Sequence, residues 1–150
     1  MKALIIGFGH IGQRHFESIY NYKKLKEIYV YDKEIKKVQE YLKLNKKYKK
    51  KLKILDNFSK DKSFFLCIIS TNSDVRFEMF KKINNSIRIK NYIFEKIVFQ
   101  KPTEYEKTYK IIIKNKLNCW INCPRRGWKI YKDIKKKIIK NKKFVMKISG

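Results

Sequence analysis

Apolar residues along the chain follow two alternating rhythms. Residues 2–6 (KALII) form a short, continuous apolar run stopped by Gly7, the pattern of a strand buried on both faces. Ile11, His15 and Ile19 then recur at intervals of four, with Tyr20 beside the last, and residues 28–31 (IYVY) are again continuous and are followed by Asp32. This is a βαβ unit. Ile35, Val38, Tyr41 and Leu42 make a second helical stripe, residues 52–55 a weak third strand and residues 64–70 (FFLCIIS) a strong fourth. The alternation continues with a helix over 75–83, a strand at 91–95, a helix over 102–115 opened by Pro102, a strand at 118–122, a helix over 128–140 and a last strand from Phe144. Strands alternating with helices in this way predict an α/β fold with a doubly wound parallel sheet.

Composition supports a folded chain. Hydrophobic residues are 43% and aromatic residues 15% of 150, too many for a disordered basic tail and enough for one ordinary domain. Lysines interrupt every apolar run, so none approaches the roughly 18 residues of a membrane span. The N-terminus lacks the length and cleavage site of a secretory signal, and the expectation is a cytoplasmic protein without membrane contact.

Lys and Arg number 39 against 13 Asp and Glu, a formal net charge of +26. The excess is almost all lysine, 34 against 5 arginines, accompanied by many Ile, Asn and Tyr, residues that share AT-rich codons. Base composition therefore accounts for much of the charge, and no specific nucleic-acid partner is expected, although polyanions will adhere at low salt. The runs at 46–53 and 132–143 are interleaved with Tyr, Leu and Ile as in the wet faces of amphipathic helices. Tyr29, Tyr31, Phe64, Phe65 and Phe94 fall in strands expected to be buried, so they read as core rather than as base-stacking platforms. Cys67, Cys119 and Cys123 read as buried free thiols. Cys119 and Cys123, four apart on one predicted strand, would lie about 13 Å from each other, too far for a disulfide. No ligand cluster suggests a metal.

The chemistry is concentrated after the first strand, where Gly7-Phe8-Gly9-His10-Ile11-Gly12 is a G-x-G-x-x-G fingerprint. Gly7 serves the tight turn, Gly9 the close approach of a pyrophosphate to the backbone, and Gly12 the packing of helix on strand. The helix start offers free N–H groups and the positive end of its dipole to phosphates. Twenty positions after Gly12, at the end of the next strand, Asp32 is placed to accept hydrogen bonds from ribose hydroxyls and to repel a 2′-phosphate. NAD is the expected cofactor, while Lys33 beside Asp32 leaves NADP open. The competing reading is a plain tight turn with Asp32 capping a helix.

Four segments resemble the Gfo/Idh/MocA (glucose-fructose oxidoreductase / inositol dehydrogenase) family. These are residues 7–15 (GFGHIGQRH); Ser70, Thr71 and Asn72 at a strand end, like the family's Thr-Pro turn against the cofactor; Glu95-Lys96 after Phe94, like the Glu-Lys-Pro motif; and 122–126 (NCPRR), like the segment leading into an Arg-bearing loop. The resemblance implies a Rossmann NAD(P)-binding domain and hydride transfer at a carbon of a sugar, cyclitol or nucleotide sugar. It makes Lys96 the catalytic lysine, Gly7–Gly12, Asp32, Ser70–Asn72 and Glu95 cofactor neighbours, and Arg125 and Arg126 substrate binders. Three positions depart from the pattern: Ile97 replaces the motif proline, Asn72 another proline, and Arg76 a histidine common in the following helix. The Asp and His pair that the family's second domain contributes has no counterpart in the sequence; His15 reads as a hydrogen-bonding residue.

The division expected is a dinucleotide-binding domain over 1–123 and, over 124–150, a linking helix and first strand of a truncated second domain. Such a chain lacks half its substrate site. It is then a fragment, an inactive copy, or a subunit completed by another chain or by self-association along strand 144–148. The alternative function is a non-catalytic module that binds NAD(H) and adheres to polyanions incidentally.

Overall fold

The structure, a computed structural model, describes residues 1–140. It is an α/β fold built on six parallel strands: β1 (Lys2–Ile6), β2 (Glu27–Tyr31), β3 (Leu52–Ile54), β4 (Ser63–Ile69), β5 (Arg88–Glu95) and β6 (Asn118–Asn122). Helices α1 (His10–Tyr20), α2 (Ile35–Leu44), α3 (Ser73–Ser86), α4 (Pro102–Asn115) and α5 (Lys129–Lys140) follow β1, β2, β4, β5 and β6, while β3 leads to β4 without a helix. The strand order is β3-β2-β1-β4-β5-β6, the doubly wound Rossmann arrangement.

Each face of the sheet buries its own apolar set. Leu4 and Ile6 of β1 join Cys67, Ile69, Tyr92 and Phe94 under Phe77, Phe80 and Ile83 of α3. Ile5, one residue out of phase, joins Ile28, Val30 and Ile68 under Phe16 of α1 and Val38 of α2. That is why β1 reads as uninterrupted hydrophobic sequence: residues 3 to 6 are all buried. Aromatic rings fill much of both layers, with Phe16 edge-on to Tyr48 at 5.0 Å and Phe80 edge-on to Tyr92 at 5.2 Å. Pro102 opens α4, where the Glu104 carboxylate accepts the Lys101 N–H at 3.3 Å, and Lys116 ends it in the left-handed region.

Several expectations need correction. The lysine run at 46–53 is not a helical face: residues 46–50 form one 3-10 turn from which only Tyr48 packs on the core, and the chain then enters β3, where Leu52 is buried. Phe65 is 51% exposed, because at that end of β4 it is the neighbouring Phe64 that joins Cys67 and Ile69 in the core under α3. Tyr29 and Tyr31 are half-buried. Cys123 lies beyond β6, at the head of a 3-10 turn (Pro124–Gly127), so it does not share a strand with Cys119. Of the free thiols Cys67 alone is fully buried; burial raises its pKa, and that of Cys119 to about 11. The strand expected from Phe144 lies outside the described residues. Among the described residues no helix is long and apolar enough to cross a membrane.

Tyr92 is fully buried and its hydroxyl has no hydrogen-bond partner among the described residues. Its desolvation is uncompensated, so Tyr92→Phe should hold or raise the urea midpoint, whereas Phe80→Ala beside it should cost about 3–5 kcal/mol. Equilibrium urea unfolding followed by circular dichroism measures both.

Candidate functional site

In a parallel sheet every strand ends at the same edge, and the loops leaving β1, β2, β4 and β5 bring Gly7, Asp32, Ser70 and Glu95 together there. The three glycines of the first loop meet different surroundings. Gly7 has φ +84°, and a Cβ on it would lie 2.9 Å from the Thr71 nitrogen. A Cβ on Gly12 would lie 2.1 Å from the Gly7 carbonyl oxygen, so α1 can pack this close only without a side chain. Gly9 differs: its φ of −66° and ψ of −172° suit any residue, and a Cβ there would meet nothing within 4 Å. Neither conformation nor packing asks for glycine at this position.

The open space at Gly9 faces the start of α1. The first N–H groups of a helix have no carbonyl partner in their own helix, and α1 has neither a side-chain cap nor an acidic residue in its first turn. A small concave surface with free N–H groups and the positive end of a helix dipole is suited to an anion. Ser70 braces it, its Oγ 2.8 Å from the Gly7 carbonyl oxygen and 3.1 Å from that of Ile6.

A cavity of about 420 Å³ extends from this loop along the end of β2, lined by Gly7, Gly9, Asp32, Lys33, Glu34 and Lys37 among others. Asp32 is held rigidly, Oδ2 accepting the Phe8 N–H at 2.5 Å and Oδ1 the Glu34 N–H at 2.8 Å. A carboxylate has about four acceptor positions, so two remain free for hydroxyl donors. Asp32 is not the cap of α2, whose N-cap position is Glu34 and which has no side-chain cap; it clasps the loop instead, and that leaves it able to accept from a ligand. Lys33 does not neutralise it, for among the described residues Asp32 is in no ion pair. Lys37 is bound to Glu34 at 2.8 Å, and that carboxylate raises the ammonium pKa.

A second cavity of about 300 Å³ shares Ser70, Thr71 and Asn72 with the first and adds Ile11, Arg76, Glu95 and Lys96. Glu95 is almost fully buried: Oε1 lies 2.7 Å from His15 Nε2 and accepts the Asn122 amide at 2.5 Å, and Oε2 accepts the Lys96 N–H at 3.3 Å. Lys96 extends from this fixed turn, through a cis Lys96–Ile97 peptide, and its side chain is exposed.

Arg76 is the main element the sequence reading missed. It is 3% exposed and donates to the carbonyls of Glu95 at 2.6 Å, Val98 at 3.0 Å, Ile97 and Thr71. One guanidinium thus ties the loop after β4 to the loop after β5. Burial lowers its pKa and the nearby Glu95 carboxylate opposes that shift. The signal was present in the spacing, since Arg76, Phe80 and Ile83 lie on one buried stripe of α3.

The remaining expected site residues are more scattered. Phe8 is 3% exposed, its ring packed on Phe16 and Tyr41, so it faces the site through its backbone. His10 is exposed and lines neither cavity, whereas Ile11 lines the second. Arg125 is exposed, 5.8 Å from the Trp128 ring, and lines neither cavity; Arg126 belongs to the same 3-10 turn. Among the described residues no group of three or more His, Cys, Asp or Glu is gathered as for a metal ion.

No family model and no curated protein matches the chain. Solved structures do match. The myo-inositol 2-dehydrogenase from Lactobacillus plantarum superposes with TM-score 0.71 at 20% identity, over 93% of this chain and 41% of that one. The UDP-N-acetylglucosamine 3-dehydrogenase from Acidithiobacillus ferrooxidans gives TM-score 0.70 at 12% identity, over 91% and 43%. The scyllo-inositol dehydrogenase from Lactobacillus casei with bound NAD(H) and scyllo-inositol gives 0.68 at 16%, over 95% and 42%. These likenesses establish the fold, and the chain spans about two fifths of each structure it matches.

The glycines should separate on substitution. Gly9→Ala should change stability by less than about 1 kcal/mol, whereas Gly12→Ala should cost several or prevent folding. Arg76→Leu, which leaves four carbonyls without their donor, should cost at least about 3 kcal/mol. Thermal and urea unfolding of the three variants check these values.

Proposed function

We propose that the chain is the cofactor-binding part of an NAD-dependent oxidoreductase of the Gfo/Idh/MocA type, acting on a sugar, cyclitol or nucleotide-sugar carbon. The observation that carries the reading is Gly9, a glycine that neither its conformation nor its neighbours require, standing before an uncapped helix start and beside a fixed carboxylate. Those residues fit a dinucleotide. The N–H groups of the first turn of α1 would bind the pyrophosphate, and the free acceptor positions of Asp32 would take the adenosine ribose hydroxyls. Neighbouring solved structures, inositol and UDP-N-acetylglucosamine dehydrogenases with one NAD(H)-bound example, agree with this reading.

The shared wall of Ser70, Thr71 and Asn72 leads from the first cavity to the second, so a ligand held at Gly9 and Asp32 would extend its other half toward Lys96. Nicotinamide, when bound, supplies the hydride donor or acceptor. Lys96 would position a substrate hydroxyl with its three N–H donors and assist the movement of that hydroxyl's proton. Glu95, fixed by His15 and Asn122, holds the Lys96 N–H and so sets where the lysine leaves the sheet. Arg125 and Arg126 are proposed as substrate contacts from the segment after β6.

A fluorescence titration at physiological ionic strength tests the cofactor assignment, because the lysine field is largely screened there. Saturable NADH binding is expected, weakened about tenfold or more by Gly9→Ala, a loss of about 1.4 kcal/mol. A folded wild-type chain that binds no NADH would overturn the proposal.

A further inference from the structure

The sheet has two edges, and the sequence treats them differently. At one end β3 has three residues with Lys53 at its centre, and it follows the lysines of residues 46–51. Shortness and charge are common means by which an edge strand is kept from pairing with another chain. At the other end β6 has five residues and no charge. Residues 117–124 (LNCWINCP) hold no Asp, Glu, Lys or Arg, and only two other stretches of the sequence run longer than five residues without one, 3–13 and 63–73. Those two contain β1 and β4, the central strands of the sheet. β6 thus has the sequence of an interior strand at the position of an edge.

Its side chains agree with its sequence. Trp120 is 55% and Ile121 49% exposed, on opposite faces of the strand, and among the described residues β6 pairs with β5 alone. Alternate N–H and C=O groups of β6 therefore point away from the sheet with no strand to receive them. A second copy of a chain with net charge +26 is repelled over most of the surface, and this edge is where the charge is missing. The strand is also self-complementary. With a two-fold axis at Trp120, an antiparallel copy places Asn118 opposite Asn122, Cys119 opposite Ile121 and Trp120 opposite its own counterpart. Polar then meets polar, apolar meets apolar, and two indole rings form a cross-strand aromatic pair.

We infer that β6 is a self-association edge, along which two copies of this chain pair antiparallel through residues 118–122 and make their six-stranded sheets continuous. The β3 edge, short and flanked by lysines, closes the assembly at two copies. This pairing does not depend on dinucleotide binding.

Sedimentation velocity of the full chain at physiological salt tests the pairing, with circular dichroism to verify that each variant is folded. Wild type should sediment as a dimer at about 100 μM, and Trp120→Lys and Ile121→Lys should each weaken the dimer about tenfold or more. Trp120→Tyr, which keeps an aromatic pair, should retain it. Tyr109→Lys on α4 and Ile130→Lys on α5 make the same change in charge at exposed apolar residues away from the edge and should alter the affinity less than about twofold. Lys116 and Arg125 close the uncharged run at its two ends, so screening by salt should tighten the dimer. A wild-type chain that remains monomeric at about 100 μM would overturn the inference. So would a dimer that survives both lysine variants of β6, one lost equally in the α4 and α5 variants, or one that weakens as salt is raised.

Discussion

The contact on which the site depends is the approach of α1 to the end of β1, where Gly12 sits against the Gly7 carbonyl with no room for a Cβ. Because β1 has β2 on one side and β4 on the other, the sheet reverses its winding there, and loops from both directions flank the same glycines. The close approach sets the direction of α1 and so aims its uncapped first turn along the sheet edge. Ser70 from the β4 side and Asp32 from the β2 side then fasten the loop through the Gly7 carbonyl and the Phe8 N–H. Moving any of these elements would change the shape of both cavities.

Two polar clusters extend that order to the far half of the site. Arg76 gathers carbonyls from the loops after β4 and β5, and Glu95 gathers His15 of α1, Asn122 of β6 and the Lys96 N–H. Arg76 donates through its two terminal nitrogens while its buried Nε has no partner among the described residues, so the guanidinium depends on these carbonyls and the cluster resists partial loosening. Lys96 is therefore an exposed side chain on a turn whose backbone is held by Glu95. The abundant surface lysines have no comparable organisation; the ion pairs among the described residues are few and mostly exposed.

Most of the fold was legible because parallel strands are buried on both faces and therefore read as continuous apolar runs, as in residues 2–6 and 64–70. The limits of α4 and β6 could be placed from Pro102 and from the apolar run after Leu117. The fingerprint glycines and Asp32 were legible from their spacing, but their unequal roles were not, since only three-dimensional contacts distinguish the packed Gly12 from the free Gly9. The lysine run at 46–53 misled because its Tyr and Leu spacing imitates a helix while the chain has only enough residues there for one tight turn before β3. The partners of Glu95 come from α1 and β6, 80 and 27 residues away, and no local pattern announces such a meeting. Arg76 was noted only as a departure from a position that often holds histidine, because its carbonyl partners, in the loops after β4 and β5, are brought to it only by the fold.

A dinucleotide site at the start of α1 and polyanion adhesion at the surface lysines would leave different marks on the backbone amides. The most direct measurement is an amide chemical-shift titration of the isotopically labelled chain with NAD at physiological ionic strength. With the dinucleotide bound as proposed, the largest shifts should fall at Gly9–Gly12, Asp32–Glu34 and Ser70–Asn72, and saturate. Shifts confined to the lysine-rich segment at 46–53, or no saturable shifts in a folded sample, would contradict it.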